Sequence, residues 1–300
     1  MVALSGKTRL VVGIATAGRR DVLSQTITHL SSQSRLPDEI IVCPASPADL
    51  DAEHLKSFPA PTQVVAAPRG LCAQRNAILN AAGEADIIVF FDDDFLPANS
   101  FLATTEALFV ARPDIVVATG KVLADGIHGP GISVVDGLAV LAADMPPASD
   151  VVLKPAYNAY GCNMVLRMAP IRSGNIRFDE TLPAYGWQED VDFCRRLAPF
   201  GAIVNSPALR GVHLGSKSGR VSGVRFGYSQ IANPLYIKAK GVVSWRWALN
   251  LMGRNCAANL AGSIRPPGLV DRRGRLKGNL MAIRDLLTRQ LTPTRILSFK

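Results

Sequence analysis

The sequence has no apolar run near the length a membrane span needs. Its apolar stretches, such as residues 87–91 and 115–118, fall far short of the roughly 20 residues of a spanning helix. Cysteine is scarce: five residues, odd in number and without close spacing. That argues against a disulfide framework and for a reducing compartment. The first residues lack the apolar core and cleavage site of a secretory leader, so a cytoplasmic location is expected. No repeat or low-complexity segment is visible. One scarcity is local. Residues 201–300 hold 2 Asp+Glu against 17 Lys+Arg, a net of +15. Residues 1–200 hold 22 Asp+Glu against 16 Lys+Arg, a net of −6. The +9 of the 300-residue chain is therefore the difference between an acidic body and a basic tail. We expect a body over residues 1–220 and a basic, helical extension over 221–300.

What is present is a chain that can build a core. It is 48% hydrophobic, with a mean hydropathy of +0.18. At this length it needs no disulfide or metal staple to fold. Short, continuous apolar runs at 10–15, 39–43, 87–91 and 115–119 read as buried parallel strands, with a weaker one at 63–66. Between them lie helical patterns, among them Leu23, Ile27 and Leu30, residues 71–82 with Gly83 as a stop, and residues 100–111. This alternation predicts an α/β fold with a doubly wound, mostly parallel sheet and helices on both faces. Residues 124–157, rich in Gly, Pro and Asp, read as a long loop insertion. A further helix fits 188–199, and a strand fits 202–212.

Ligands in such sheets bind beyond the carboxyl ends of the strands. Asp92-Asp93-Asp94 stands at that place after the strand at 87–91. Adjacent carboxylates repel one another, and a divalent cation would neutralise them. Oxygen ligands select Mg²⁺ or Mn²⁺. Alternation along an extended chain lets Asp92 and Asp94 share a side. A second acidic group, Glu189-Asp190-Val191-Asp192, opens the helix at 188–199. His213 ends the strand after it.

Taken in order, these segments resemble the family 2 glycosyltransferases of the GT-A fold. The resemblance runs from about Leu10 to His213. It is carried by the opening strand and turn (residues 11–19), Arg69-Gly70-Leu71-Cys72-Ala73-Gln74-Arg75-Asn76, the Asp92–Asp94 motif with Pro97 after it, Gly161-Cys162-Asn163-Met164, Phe178-Asp179-Glu180, and Gly186-Trp187-Gln188-Glu189-Asp190. It implies an inverting, metal-dependent transfer of a sugar from a nucleotide diphosphate donor to an acceptor hydroxyl. In its terms Asp94, with Asp92 or Asp93, holds Mn²⁺ or Mg²⁺, His213 is a further metal ligand or a diphosphate contact, and Asp190 is the general base; Asp92, Asp94 and His213 are the metal set expected here. Thr16, Arg19, Arg69, Arg75 and Asp93 lie near the donor, and Asn163, Trp187 and Glu189 near the acceptor. The sequence departs from the pattern at residues 42–46 (Val-Cys-Pro-Ala-Ser), where many members have an Asp for the nucleobase. Asp49 and Asp51 come several residues late. A nucleotidyltransferase on a similar sheet, and a non-catalytic sugar-nucleotide or lipid-binding scaffold, remain as alternatives.

Beyond His213, a Gly/Ser loop with Lys217 and Arg220 is suited to closing over a diphosphate. The helical patterns at 242–263 and 276–291 combine apolar faces with Trp245, Trp247 and many arginines. Such helices fit an anionic membrane surface at the inner face of a membrane, or packing on the body or on another copy of the chain. No nucleic-acid module is recognisable. The acceptor expected on these grounds is a lipid-linked or polysaccharide-precursor glycan.

Overall fold

A computed structural model describes residues 7–145, 152–218, 222–264 and 268–299. The chain runs β1 (Leu10–Thr16), α1 (Arg20–Leu30), β2 (Glu39–Pro44), α2 (Ala52–Lys56), β3 (Thr62–Val64), α3 (Leu71–Ala82), β4 (Ile87–Asp92) and β5 (Phe95–Pro97). It continues through α4 (Phe101–Ala111), β6 (Ile115–Asp125), α5 (Val134–Ala143), β7 (Lys154–Pro155), β8 (Asn163–Arg167), α6 (Met168–Ser173), α7 (Glu189–Leu197) and β9 (Ala202–His213). Three helices complete it: α8 (Gly223–Ala239), α9 (Trp245–Ser263) and α10 (Arg272–Leu287).

The strands form one sheet in the order β3-β2-β1-β4-β8-β6-β9-β5, with β7 on β9. β1, β2, β3 and β4 pair in parallel, as do β6 and β9. β8 enters antiparallel between β4 and β6. The apolar runs are continuous because both faces of the sheet are covered. Leu10, Val12 and Ile14 pack with Ile87, Val89 and Phe91 on one side. Val11 packs with Ile88 and Phe90 on the other, together with Cys72 of α3 and Val191 and Phe193 of α7. Asp92 continues the alternation of Ile88 and Phe90, so it points toward the side that carries α3 and α7.

One expectation is corrected. The insertion at 124–157 is not all loop: Val134–Ala143 is helical, capped by the Ser133 hydroxyl on the Asp136 amide. Within the expected helical extension, residues 223–239, where no particular helix is expected, form α8 despite Pro234. This helix joins the tail to the body. Ile237, with Val243 just beyond it, belongs to the same apolar cluster as Val11 and Phe90. Lys240, which caps α8, donates to Asp179 at 2.5 Å and to Asp192 at 2.6 Å. Asn233 donates to the carbonyl of Trp187 at 2.7 Å.

Candidate active site

The site lies where β1, β4 and β9 end. Asp92, Asp94 and His213 bring one ligand atom each to within 4.8 Å of one another. His213 Nε2 is 3.4 Å from Asp94 Oδ1 and 3.9 Å from Asp92 Oδ2. Its Nδ1 lies 2.9 Å from Asp125 Oδ1, at facing positions of β6 and β9. Asp125 also accepts from the Tyr160 hydroxyl at 3.1 Å. A carboxylate behind a histidine fixes the ring orientation, as at many metal centres. Burial disfavours the His213 cation, but Asp125 and Asp94 outweigh it and raise the imidazole to about 10. Asp94 is fully buried. Burial acts to raise its pKa, yet His213, Arg19 and the Ser216 amide hold it down to about 2. Its Oδ2 accepts from that amide at 2.7 Å, while Oδ1 has no hydrogen-bond partner. A buried, ionised oxygen left over beside a carboxylate and an imidazole fits a divalent cation.

Asp93 turns away from this trio. It accepts from Thr16 Oγ1 at 2.7 Å and from Arg19 Nη1 at 2.8 Å. Arg19 in turn donates to the carbonyls of Ser216 and Ser218. Lys217 Nζ donates to the carbonyls of Gly126 and Ile127 at 2.9 and 3.2 Å. The segment after His213 is thus held against the turn that follows Asp125. Gly126 is needed there, because a Cβ would come within 2.0 Å of the Leu214 carbonyl oxygen. Arg220 lies outside the described residues. A recess of about 470 Å³ beside Arg19 is lined by Gly18, Arg20, Ala48, Asp49 and Ser218. Asp51 is engaged instead in an ion pair with Arg20 and in capping α2.

The second group is built on a strained turn. Ala184, Gly186 and Gln188 all have positive φ, at 57°, 63° and 76°. Left-handed non-glycine residues are costly and persist only where their surroundings hold them. This turn delivers Glu189 and Asp190 at the start of α7. Glu189 forms a buried ion pair with Arg75 of α3. Arg75 also donates to the Gly161 carbonyl at 2.9 Å and approaches Asp92 Oδ1 at 3.4 Å. It lies over the rings of Phe90 and Phe178. Asp190 accepts from the Val191 amide at 2.8 Å and from Asn158 Nδ2 at 3.4 Å. Burial pushes both carboxyls up, and Arg75 pulls both back down.

The structure thus brings together Asp92, Asp94 and His213 in one cluster and Arg75, Glu189 and Asp190 in another, with Asp92 between them. Arg75 and Asn163, expected near the donor and the acceptor, are both buried. Arg75 is 2% exposed, with its guanidinium committed to Glu189, Gly161 and Asp92. Asn163 is fully buried, and its Oδ1 accepts from the Thr119 hydroxyl and the Gly120 amide. Trp187 is half-buried and meets Phe226 edge to face. Arg69 is exposed, directly before Gly70 and the start of α3. Asp125 and Tyr185 escaped the sequence reading. Tyr185 is 47% exposed; its phenol is pushed up by burial and by the charges of Asp92, Glu189 and Asp190.

Residues 11–126 match the model for glycosyl transferase family 2. No curated protein matches the sequence. Among solved structures, S. aureus TarS is similar, with a TM-score of 0.51 and 15% identity over 75% of this chain. The chain spans 40% of that protein's length. TarS 1-349 in complex with UDP-GlcNAc gives a TM-score of 0.54 at 15% identity, covering 96% of this chain and 83% of that one. The mannosyltransferase PcManGT from Pyrobaculum calidifontis, in complex with GDP-Man and Mn²⁺, gives 0.54 at 15% identity, covering 98% and 86%. Residues 11–126, which carry β1 to β6, thus match the glycosyl transferase family 2 model, and the chain as a whole has a fold similar to that of these transferases.

Proposed function

We propose that the protein is an inverting transferase that moves a sugar from a nucleoside diphosphate to an acceptor hydroxyl. The observation that carries this reading is the buried Oδ1 of Asp94, without a hydrogen bond and converging with Asp92 and His213, one carboxylate away from the Arg75–Glu189–Asp190 group. Asp92, Asp94 and His213 would hold Mn²⁺ or Mg²⁺. A cation there supplies positive charge against the diphosphate that leaves. Arg19 and Thr16 orient Asp93 and, with Lys217, shape the donor side. The recess at Asp49 suits the nucleobase side of the donor. Asp190 takes the acceptor proton as the acceptor oxygen bonds to the anomeric carbon and the bond from that carbon to the phosphate oxygen breaks. Its raised proton affinity suits a base working near neutral pH. Arg75 and Glu189 hold the α7 end of the site from beneath, and Asn163 holds the β6–β8 seam. Tyr185, Trp187 and Arg69 border the acceptor side.

This reading divides the chain by role, with residues 1–220 carrying the site and 221–300 forming a basic extension. A lipid-linked or polysaccharide-precursor acceptor and a peripheral place at the inner face of a membrane belong to it, supported by the charge of the tail. Among the described residues no helix is long and apolar enough to cross a membrane. The experiment is a thermal-shift panel of nucleotide sugars with Mn²⁺, followed by identification of the released nucleotide. A metal-dependent rise in midpoint and release of a nucleoside diphosphate are expected. Release of pyrophosphate would instead indicate nucleotidyl transfer.

A further inference from the structure

The three tail helices meet over a small apolar cluster, Tyr228, Ile231, Met252 and Ala282. Beside it their contacts are polar. Asn259 donates to Gln230 at 2.7 Å and to Asn279 at 2.8 Å, and Asn279 donates to the Gly227 carbonyl at 2.6 Å. Gln230 donates to Asn255, and Arg272 to Asn259. Several leucines point outward instead. Leu249 and Leu260 of α9 are 55% and 57% exposed, and Leu280 and Leu287 of α10 are 60% and 80% exposed. On α10 the residues Arg273, Lys277, Leu280, Arg284 and Leu287 follow a spacing of four, three, four and three. That places them along one exposed stripe. Much of this stripe lines an open groove of about 530 Å³ that reaches Ser263 at the end of α9.

Among the described residues no carboxylate forms an ion pair with Arg273, Lys277 or Arg284. α9 contains no carboxylate. Asp285 is 8% exposed and takes the Tyr228 hydroxyl, and Asp271 caps α10 through the Gly274 amide. We infer that this α9–α10 face docks on an anionic phospholipid surface. Exposed leucines interleaved with cations satisfy both needs of such a surface, apolar insertion and charge pairing. A symmetric contact between two copies would set the same cations against each other. The inference rests on the peripheral-membrane part of the reading above; the transfer chemistry does not enter it.

The test is co-sedimentation of the full chain with phosphatidylcholine vesicles, with and without about one-third phosphatidylglycerol. The wild type should partition to the anionic vesicles and little to the neutral ones. Arg273→Ala/Lys277→Ala/Arg284→Ala should lose about fivefold per cation, on the order of a hundredfold together. Leu280→Ser/Leu287→Ser should lose at least about tenfold, since each leucine inserts several apolar carbons. All five positions are exposed, so both variants should keep the wild-type melting midpoint. Equal sedimentation with both vesicle types, or variants that bind as the wild type does, would overturn the inference. So would a dimer in light scattering that the leucine variant breaks, without vesicle binding. Donor hydrolysis is read in parallel. If it is absent while vesicle binding holds, the transferase reading fails and the surface stands.

Discussion

His213 Nδ1 lies 2.9 Å from Asp125 Oδ1, so the imidazole is held from behind while its other nitrogen faces Asp94. Removing that support should loosen the cation site without removing a ligand. Asp125→Ala should weaken Mn²⁺ binding roughly 10- to 100-fold, and Asp94→Ala should abolish it. Calorimetric titration of Mn²⁺ in the presence of a nucleoside diphosphate measures both. Wild-type affinity in Asp125→Ala would show that the carboxylate plays no part in holding the ring.

Asp190→Asn keeps the shape of the α7 end and removes the proton acceptor. Turnover should fall at least about a hundredfold while donor binding stays nearly intact. Steady-state rates beside donor titrations separate the two effects. Near-normal turnover would transfer the role of base to another group.

Arg75 and Glu189 form an ion pair in which both side chains are almost fully buried. Breaking such a pair leaves one charge without compensation. Arg75→Ala should therefore destabilise the fold by about 3–5 kcal/mol, read in denaturant titrations. Loss of activity with unchanged stability would mean that Arg75 acts on the ligand directly.

The pH dependence of stability should carry a signature of Asp179. Burial works to raise its carboxyl, but Lys240, the Thr181 amide and Tyr236 hold it from 3.8 down to about 2. A depressed folded-state value means that its stabilisation is complete above the unfolded value near 4 and is lost as pH falls through about 2. Asp179→Asn should cost on the order of 1–2 kcal/mol at neutral pH. The gap to wild type should close between about pH 4 and about pH 2. A gap that is constant across that range would show that the Lys240 contact contributes no charge-dependent stability.

The parallel half of the sheet was legible because each strand is buried on both faces and reads as an unbroken apolar run, as at residues 87–91. The aspartates were legible because they follow such a run. Asp125 was not. The strand signal fades after Thr119, whereas β6 continues to Asp125 through two further register shifts against β9, and only that pairing sets Asp125 opposite His213. α8 was hidden for a different reason. It is buried almost all round, and Ser229, Gln230, Asn233 and Pro234 are interleaved with Tyr228, Ile231 and Ile237, which blurs the apolar stripe that would announce it. The strained turn at 184–188 has one glycine among its three left-handed residues, so composition gave only a third of its signal. The burial of Arg75 and Asn163 follows from contacts with Glu189 and Thr119, more than a hundred and more than forty residues away in sequence respectively.

Asp92 approaches Arg75 through one oxygen and His213 through the other. A substitution at this position therefore disturbs two neighbourhoods at once. Its effect should not add to those of Asp94 or Asp190 variants, because residues that share a partner couple. In a double-mutant cycle Asp92 should show coupling in both directions, whereas Asp94 and Asp190, which share no direct contact, should combine almost independently. Sequence change around this site would then be constrained pairwise through Asp92.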